Sequence, residues 1–405
     1  MKRKSWPIAI VVLAAVAGLL AWWLMDDANA NVAGRVSSAA TGSQSTNGAV
    51  NPVIGASGSS GGPFSASGLA LRKQQLALWQ QRYDRAAEVY STYRDSTRYP
   101  FDSRPLSEHP DQVRPFDPVA EEKTLRDASG KAVKGLSLRT TQERVFVSGA
   151  ESVVFTIEAF DDAKKPVVLA VGRSSAQTIP DTAKPITMIS ANVPFSDDGS
   201  GADIQASDGK YTARLTPAGQ GFAKHAGTLR LLAEVSANGQ QGIAHFDVVY
   251  SPEVPAQWSS TREALEGGAL NFYLKAQVQI AGRYVVSGRV YDANGKPFAL
   301  LQFNDEVPAG AAEFKLSLFG ALVRDKAPAF PLRLVDVDGF LLRPDAFPDR
   351  SMMARQAGVV HTTSSYSLER FSSADWTSEE RERHLNEYGR DMQEAKDRIS
   401  SLQDP

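Results

Sequence analysis

Four aspartates crowd one short stretch between Phe195 and Tyr211: Asp197, Asp198, Asp203 and Asp208. Carboxylate oxygens are hard ligands, so this stretch could present them to calcium. Its spacing departs from the EF-hand pattern of alternate ligands, central glycine and closing glutamate. Gly199 to Asp203 partly matches one repeat of a calcium β-roll, but such sites need stacked copies and the chain has a single one. Asp198-Gly199 and Asp208-Gly209 are also good turn formers. The stretch therefore has two readings, a structural turn first and a calcium loop second. Calcium is the one cofactor the sequence leaves open.

Other chemistry is sparse. The five histidines, His109, His225, His245, His361 and His384, form no H-E-x-x-H pair. The one G-x-S-x-G string, Gly58–Gly62, falls in a polar low-complexity stretch with no strand before it to make a nucleophile elbow, and the sequence has no S-x-x-K with matching partners and no P-loop. Asp161–Asp162 reads as a loop and Glu379–Glu380 as a helix start. With no cysteine, disulfides, thiolate zinc sites and cysteine nucleophiles are excluded. No catalytic residue is assigned and the chain is expected not to be an enzyme. Lys plus Arg number 44 and Asp plus Glu 46, a balance that argues against nucleic acid as a partner.

The elements that would carry any site can be read along the 405 residues. Lys2, Arg3 and Lys4 precede an uncharged run from Ser5 to Met25, closed by Asp26 and Asp27. About 20 apolar residues span a hydrocarbon core of roughly 30 Å. The basic flank keeps the N-terminus cytoplasmic and exports the rest. A signal peptide cut after Ala30 is the competing reading. Cleaved apolar regions run to about 15 residues, which favours an uncleaved anchor over residues 1–27. Residues 28–67 are a Gly/Ser/Ala/Asn linker too polar to fold.

From Gly68 to Asp95 Leu69, Leu76, Tyr83 and Tyr90 recur every seven residues, with Trp79, Ala86 and Tyr93 between them. This predicts an amphipathic helix. Its seam (Leu76, Trp79, Tyr83, Tyr90) packs on its own protein or serves as a partner or dimer seam. Prolines at 100, 105, 110, 115 and 118 then impose an extended path without helix or central strand. Arg98, Tyr99, Phe101 and Phe116 make this either a docking strip or a lacing segment with Phe101 and Phe116 plugged into a domain. Together these fill residues 68–133.

Short β-rich runs follow at Val145–Val147, Ser152–Phe160, Ile186–Ile189, Lys210–Leu215, Thr228–Val235 and Ile243–Tyr250. They predict a β-sandwich over 134–253. Runs at Phe272–Ile280, Arg283–Tyr291, Phe298–Phe303, Ala312–Leu318 and Leu332–Val337 predict a second over 265–350. Asp292-Ala-Asn-Gly295 marks its hairpin, with positive φ expected at both Asn294 and Gly295. In the tail, 351–405, strand pattern is lost until Trp376. Thr377-Ser-Glu-Glu380 then reads as a capping box. Leu385, Tyr388, Met392 and Ile399 form a second helical seam, docked on the body, on the first helix, or on a partner.

Two strings carry a resemblance. Asp198 to Tyr211 is similar to an element of Ig-like modules in bacterial envelope proteins. Gly282 to Pro297, with His361-Thr-Thr-Ser-Ser-Tyr-Ser-Leu-Glu369, resembles a companion module of the same proteins. These are the choice-of-anchor type of exported Gram-negative proteins, and the resemblance spans about 134–371. It implies Ig-like sandwiches, envelope attachment and no catalytic residues. An N-terminal anchor without a C-terminal hydrophobic sorting tail departs from that type and points to the inner membrane. The fold expected is thus mainly β: two Ig-like β-sandwich modules, an N-terminal transmembrane helix, an amphipathic helix before the sandwiches and another at the C-terminus.

The function expected first is a non-catalytic, single-pass inner-membrane protein with a periplasmic body, a scaffold holding an envelope or secreted protein partner. Self-association through the seams is the other arrangement they allow. A membrane-anchored folding or export helper for a secreted client and an envelope hydrolase with Ig-like accessory modules are the alternatives.

Overall fold

The computed structural model describes residues 66–127, 129–180 and 188–403. The expected membrane segment 1–27 and nearly all of the linker lie outside the described residues. Among the described residues no helix is long and apolar enough to cross a membrane. By its contacts the chain divides into Met1–Leu71 and Arg72–Pro405.

The protein is mainly β, with eighteen strands in four sheets among the described residues. Strict alternation sends one face of each strand inward. In β5 (Val153–Phe160), Val153, Phe155, Ile157 and Ala159 are all buried. The first core lies between two sheets. One orders β2 (Val119–Arg126), β3 (Ala132–Gln142), β5 and β8 (Tyr211–Leu215). The other orders β4 (Phe146–Ser148), β10 (Gln240–Ser251), β9 (Gly227–Ala237), β6 (Leu169–Thr178) and β7 (Ser190–Asn192). Phe155, Phe222, Leu229, Leu231 and Val248 fill it with no exposed surface. The β4–β10 ladder is parallel, whereas the other ladders between named strands are antiparallel.

The second core lies between a three-stranded and a six-stranded sheet. The first orders β11 (Ala256–Glu266), β12 (Ala269–Val278) and β15 (Gly310–Leu318). The second orders β1 (Ser103–Pro105), β14 (Pro297–Val307), β13 (Gly282–Tyr291), β16 (Arg333–Leu342) and β17 (Arg350–Met352), with β18 (Gln356–Thr362) also on β16. Gly288 lets the layers approach: a Cβ there would stand 2.8 Å from both Leu316 and Leu334. The two β modules meet where the Met352 N–H donates to Ser148 Oγ, and where Arg350 lies over the rings of Phe146 and Phe340.

The helices are α1 (Ala66–Ser96), α2 (Gly320–Lys326) and α3 (Glu379–Gln403). α1 and α3 lie antiparallel. Tyr93 packs edge-on against His384 and Tyr388 at one end, and Arg72 donates to the Leu402 carbonyl at the other.

Several expected boundaries shift. The first module begins at β2, inside the stretch read as lacing, because Glu121, Glu122 and Lys123 hide the alternation of an edge strand. β3, β6, β11, β17 and β18 were not expected, nor was α2, and the stretch read as strand-free after Asp349 contains β17 and β18. The run expected at Ile186–Ile189 is not a strand in its described part; β7 begins at Ser190. At the β13–β14 hairpin only Gly295 has positive φ. Asp292 Oδ1 instead accepts from the N–H groups of Asn294 and Lys296, making an Asx turn with a register shift beside it. The cap of α3 is Ser378, whose Oγ accepts from the Arg381 N–H, and not Thr377.

Candidate functional site

Three places hold the residues singled out in the sequence. The acidic loop joins β7 to β8. Asp197, Asp203 and Asp208 each bring a carboxylate oxygen within 4.8 Å of the others. Asp198 is not among them. Its Oδ1 accepts from the Ser200 hydroxyl and N–H, and these donors hold its carboxyl below the usual range. The three converging carboxylates are themselves staples. Asp197 accepts from the Asp208 and Gly209 N–H groups, each at 3.1 Å. Asp203 is buried and accepts from Gly199 N–H at 2.7 Å, and Asp208 accepts from Lys210 N–H at 2.9 Å. Carboxylate oxygens retain further lone pairs, so these three are the residues that could hold a cation. We expect Asp197→Ala to cost the first module about 1.5–3 kcal/mol by releasing two charge-assisted bonds. Melting with and without chelator checks it. Equal losses show that the loop stands on its own hydrogen bonds, whereas a loss confined to calcium-containing buffer assigns the carboxylates to the ion.

The proline-rich segment is laced onto the second module. Arg98 grips the Asp325 carboxylate through two nitrogens, at 2.7 and 2.9 Å, and the Tyr99 hydroxyl donates to the same group at 2.8 Å. Asp325 is held low by that guanidinium, while burial, then the bond to Asp325, pushes Tyr99 up to about 12. β1 adds to the edge of β14, and Leu106 behind it is fully buried. Arg289, 2% exposed, donates to Gln112 Oε1, Asp338 and the Asp336 carbonyl. Tyr291 donates to the Val113 carbonyl at 2.6 Å. Phe116 lies half-buried under the Arg355 guanidinium. Phe101 is the exception. It was expected to plug into the domain, but it is 62% exposed in the turn before β1, and Tyr99 and Leu106 fill the inward positions instead.

The helix seams face each other. Leu76, Trp79, Tyr83 and Tyr90 on α1 and Leu385, Tyr388, Met392 and Ile399 on α3 are all half-buried. Of α3 only Arg381 and Ala395 are fully covered. Replacing Leu76 and Tyr83 together by Asp is expected to lower helical circular dichroism and separate the pair. The β modules should melt as before, since these seam residues turn to α3 rather than to a strand.

Two further features had no sequence signal. Glu263 collects the Ser364 N–H, the Tyr366 hydroxyl and His361 Nε2 at 2.8–3.2 Å, pinning the tail to β11. A groove of about 350 Å³ crosses β6, β9 and β10, lined by Ala170, Gly172, Glu234, Ser236 and Ile243 among others. Each becomes visible only when distant strands pair.

No family model and no curated protein matches the sequence. Among solved structures, the chain is similar to a DUF4785 family protein from Legionella pneumophila, at 12% identity and TM-score 0.37, over 56% of this chain and 57% of that one. It is similar to the Yersinia pseudotuberculosis adhesin InvE at 14% identity and TM-score 0.18, over 54% of this chain and 58% of the adhesin. A trypsin-activated alpha-2-macroglobulin from Escherichia coli matches at 12% identity and TM-score 0.19, over 57% of this chain and 16% of its own. The chain thus spans little more than half the length of the first two proteins.

Proposed function

We propose that this chain is a non-catalytic binding or scaffold protein of the bacterial envelope. On this reading its N-terminal segment anchors it in the inner membrane, and two Ig-like β-sandwich modules of the choice-of-anchor type stand in the periplasm. There they hold an envelope or secreted protein. The observation that carries the reading is the length of α1. α1 is 31 residues long, about 46 Å at 1.5 Å per residue, and ends at the Arg98–Asp325 clasp on the second module. A helix of that length, pinned at one end and following a predicted tether, serves as a bracket that keeps the modules clear of a surface. The groove across β6, β9 and β10 is open to solvent and so accessible to a partner.

Cross-linking in intact cells, followed by purification of the tagged full chain and mass spectrometry, tests this. A single dominant envelope or secreted protein is the expected result. Recovery of the chain without any such protein overturns the reading.

A further inference from the structure

We propose that the α1–α3 helix pair is half of a four-helix assembly whose other half is the same pair from a second copy of this chain. The two copies lie side by side with their long axes parallel, α1 of each against α3 of the other. This goes beyond the scaffold reading and rests on it only for the shared tethering surface; the contacts between the helices stand without it.

The first observation is incomplete coverage. In a two-helix pair each helix has one neighbour, and no described residue of α1 is fully buried. Leu78 and Val89 are left 49% and 42% exposed. Eleven residues apart on a helix, they fall within about 20° of each other, so they form one stripe beside the seam. Arg82 and Arg85 flank that stripe.

The second observation is charge. Tyr93 and His384, each on the same flank of its own seam, touch at 5.5 Å between ring centres. Their contact fixes which flanks share a face of the pair. The face that carries Leu78, Val89, Arg82 and Arg85 on α1 carries Asp391 and Glu394 on α3. Glu380 and Glu387 lie on that flank too, each 3.9 Å from His384. Tyr90 stands beside Gly389 and Arg72 beside Leu402, so Arg82 and Arg85 sit level with Asp391 and Glu394. One face therefore has a basic, apolar half and a half that is acidic from Glu380 to Glu394, with Arg398 beyond it.

A two-fold axis parallel to the helices lays the basic half of each copy on the acidic half of the other. An axis across the helices would set arginines against arginines, which is repulsive. The parallel arrangement also sends both α1 N-termini out at the same end, as two chains tethered to one surface require.

The third observation is size. A face about 37 Å long and about 20 Å wide offers roughly 700 Å² per copy, close to what a stable interface buries on each partner.

The test uses the full chain in detergent, with mass measured by sedimentation over a concentration series. Wild type is expected to form dimers. Arg82→Glu/Arg85→Glu is expected to weaken dimerisation about tenfold or more, and Asp391→Arg/Glu394→Arg to do the same. All four sites are exposed, and unchanged circular dichroism verifies that each variant folds. An equimolar mixture of the two variants should recover the dimer, because each acidic α1 then meets a basic α3. A wild-type chain that stays monomeric overturns the proposal and leaves the stripe to a different protein. Dimers that survive both double substitutions overturn it too. Failure of the mixture to recover overturns the α1-on-α3 arrangement.

Discussion

Leu106→Ala is expected to destabilise the second β module by about 2–5 kcal/mol, the range for emptying a fully buried leucine site. The side chain has no exposed surface and sits on a single turn of 3-10 helix directly after β1. It is held there by Pro105 before it and by the β1–β14 ladder, so the cavity has little freedom to collapse. The loss should be read from Trp258, whose indole N–H donates to the Ala354 carbonyl within this module. The five other tryptophans, Trp6, Trp22, Trp23, Trp79 and Trp376, are first replaced by Phe in both proteins, so that fluorescence reports Trp258 alone. Denaturant midpoints by fluorescence and by circular dichroism, compared with wild type, decide the matter. An unshifted fluorescence midpoint would mean that the strap is an ornament on a module that is stable without it.

Arg289→Leu is expected to cost about 3 kcal/mol, for a different reason. Its guanidinium satisfies three groups at once: the Asp338 carboxylate, the Asp336 carbonyl and Gln112 on the strap. Removing it leaves these acceptors partly desolvated without a donor. Asp338 keeps 23% of its side chain exposed, so water recovers part of the loss and the cost falls at the low end for a broken buried pair. Gln112→Ala measured alone and together with Arg289→Leu completes a cycle. A coupling of about 0.5–3 kcal/mol is expected between contacting groups. Strict additivity would show that Arg289 serves β16 alone and does not hold the strap.

The elements legible in the sequence are those with a periodic buried face. β5, β9, β10, β12 and β13 announce themselves by alternation, and α1 and α3 by their seams. What escaped is paired at an edge or made by contacts distant in sequence. β2 hides behind three charged residues, and β11 interrupts its pattern with a register shift between Trp258 and Thr261. Prolines correctly exclude a central strand over residues 98–118, and β1 is accordingly an edge strand of three residues. That Tyr99 and Leu106 turn inward while Phe101 turns out depends on β14, which no local pattern contains. At the acidic loop, residue type identified the carboxylates. Only the fold separates Asp198, spent on Ser200, from the three that converge.

The strap has a consequence for the order in which the protein can be made. Ser103 pairs with Leu301, roughly 200 residues later in the chain, and the whole first module is synthesised in between. At about 5–20 residues per second, β1 and Leu106 wait on the order of 10–40 seconds after leaving the ribosome before their partner exists. During that interval the first module has every strand it needs, while the strap that precedes it must stay unpaired. Completion therefore runs against the direction of synthesis: the inner module closes first, and the outer one is sealed by a segment made before it.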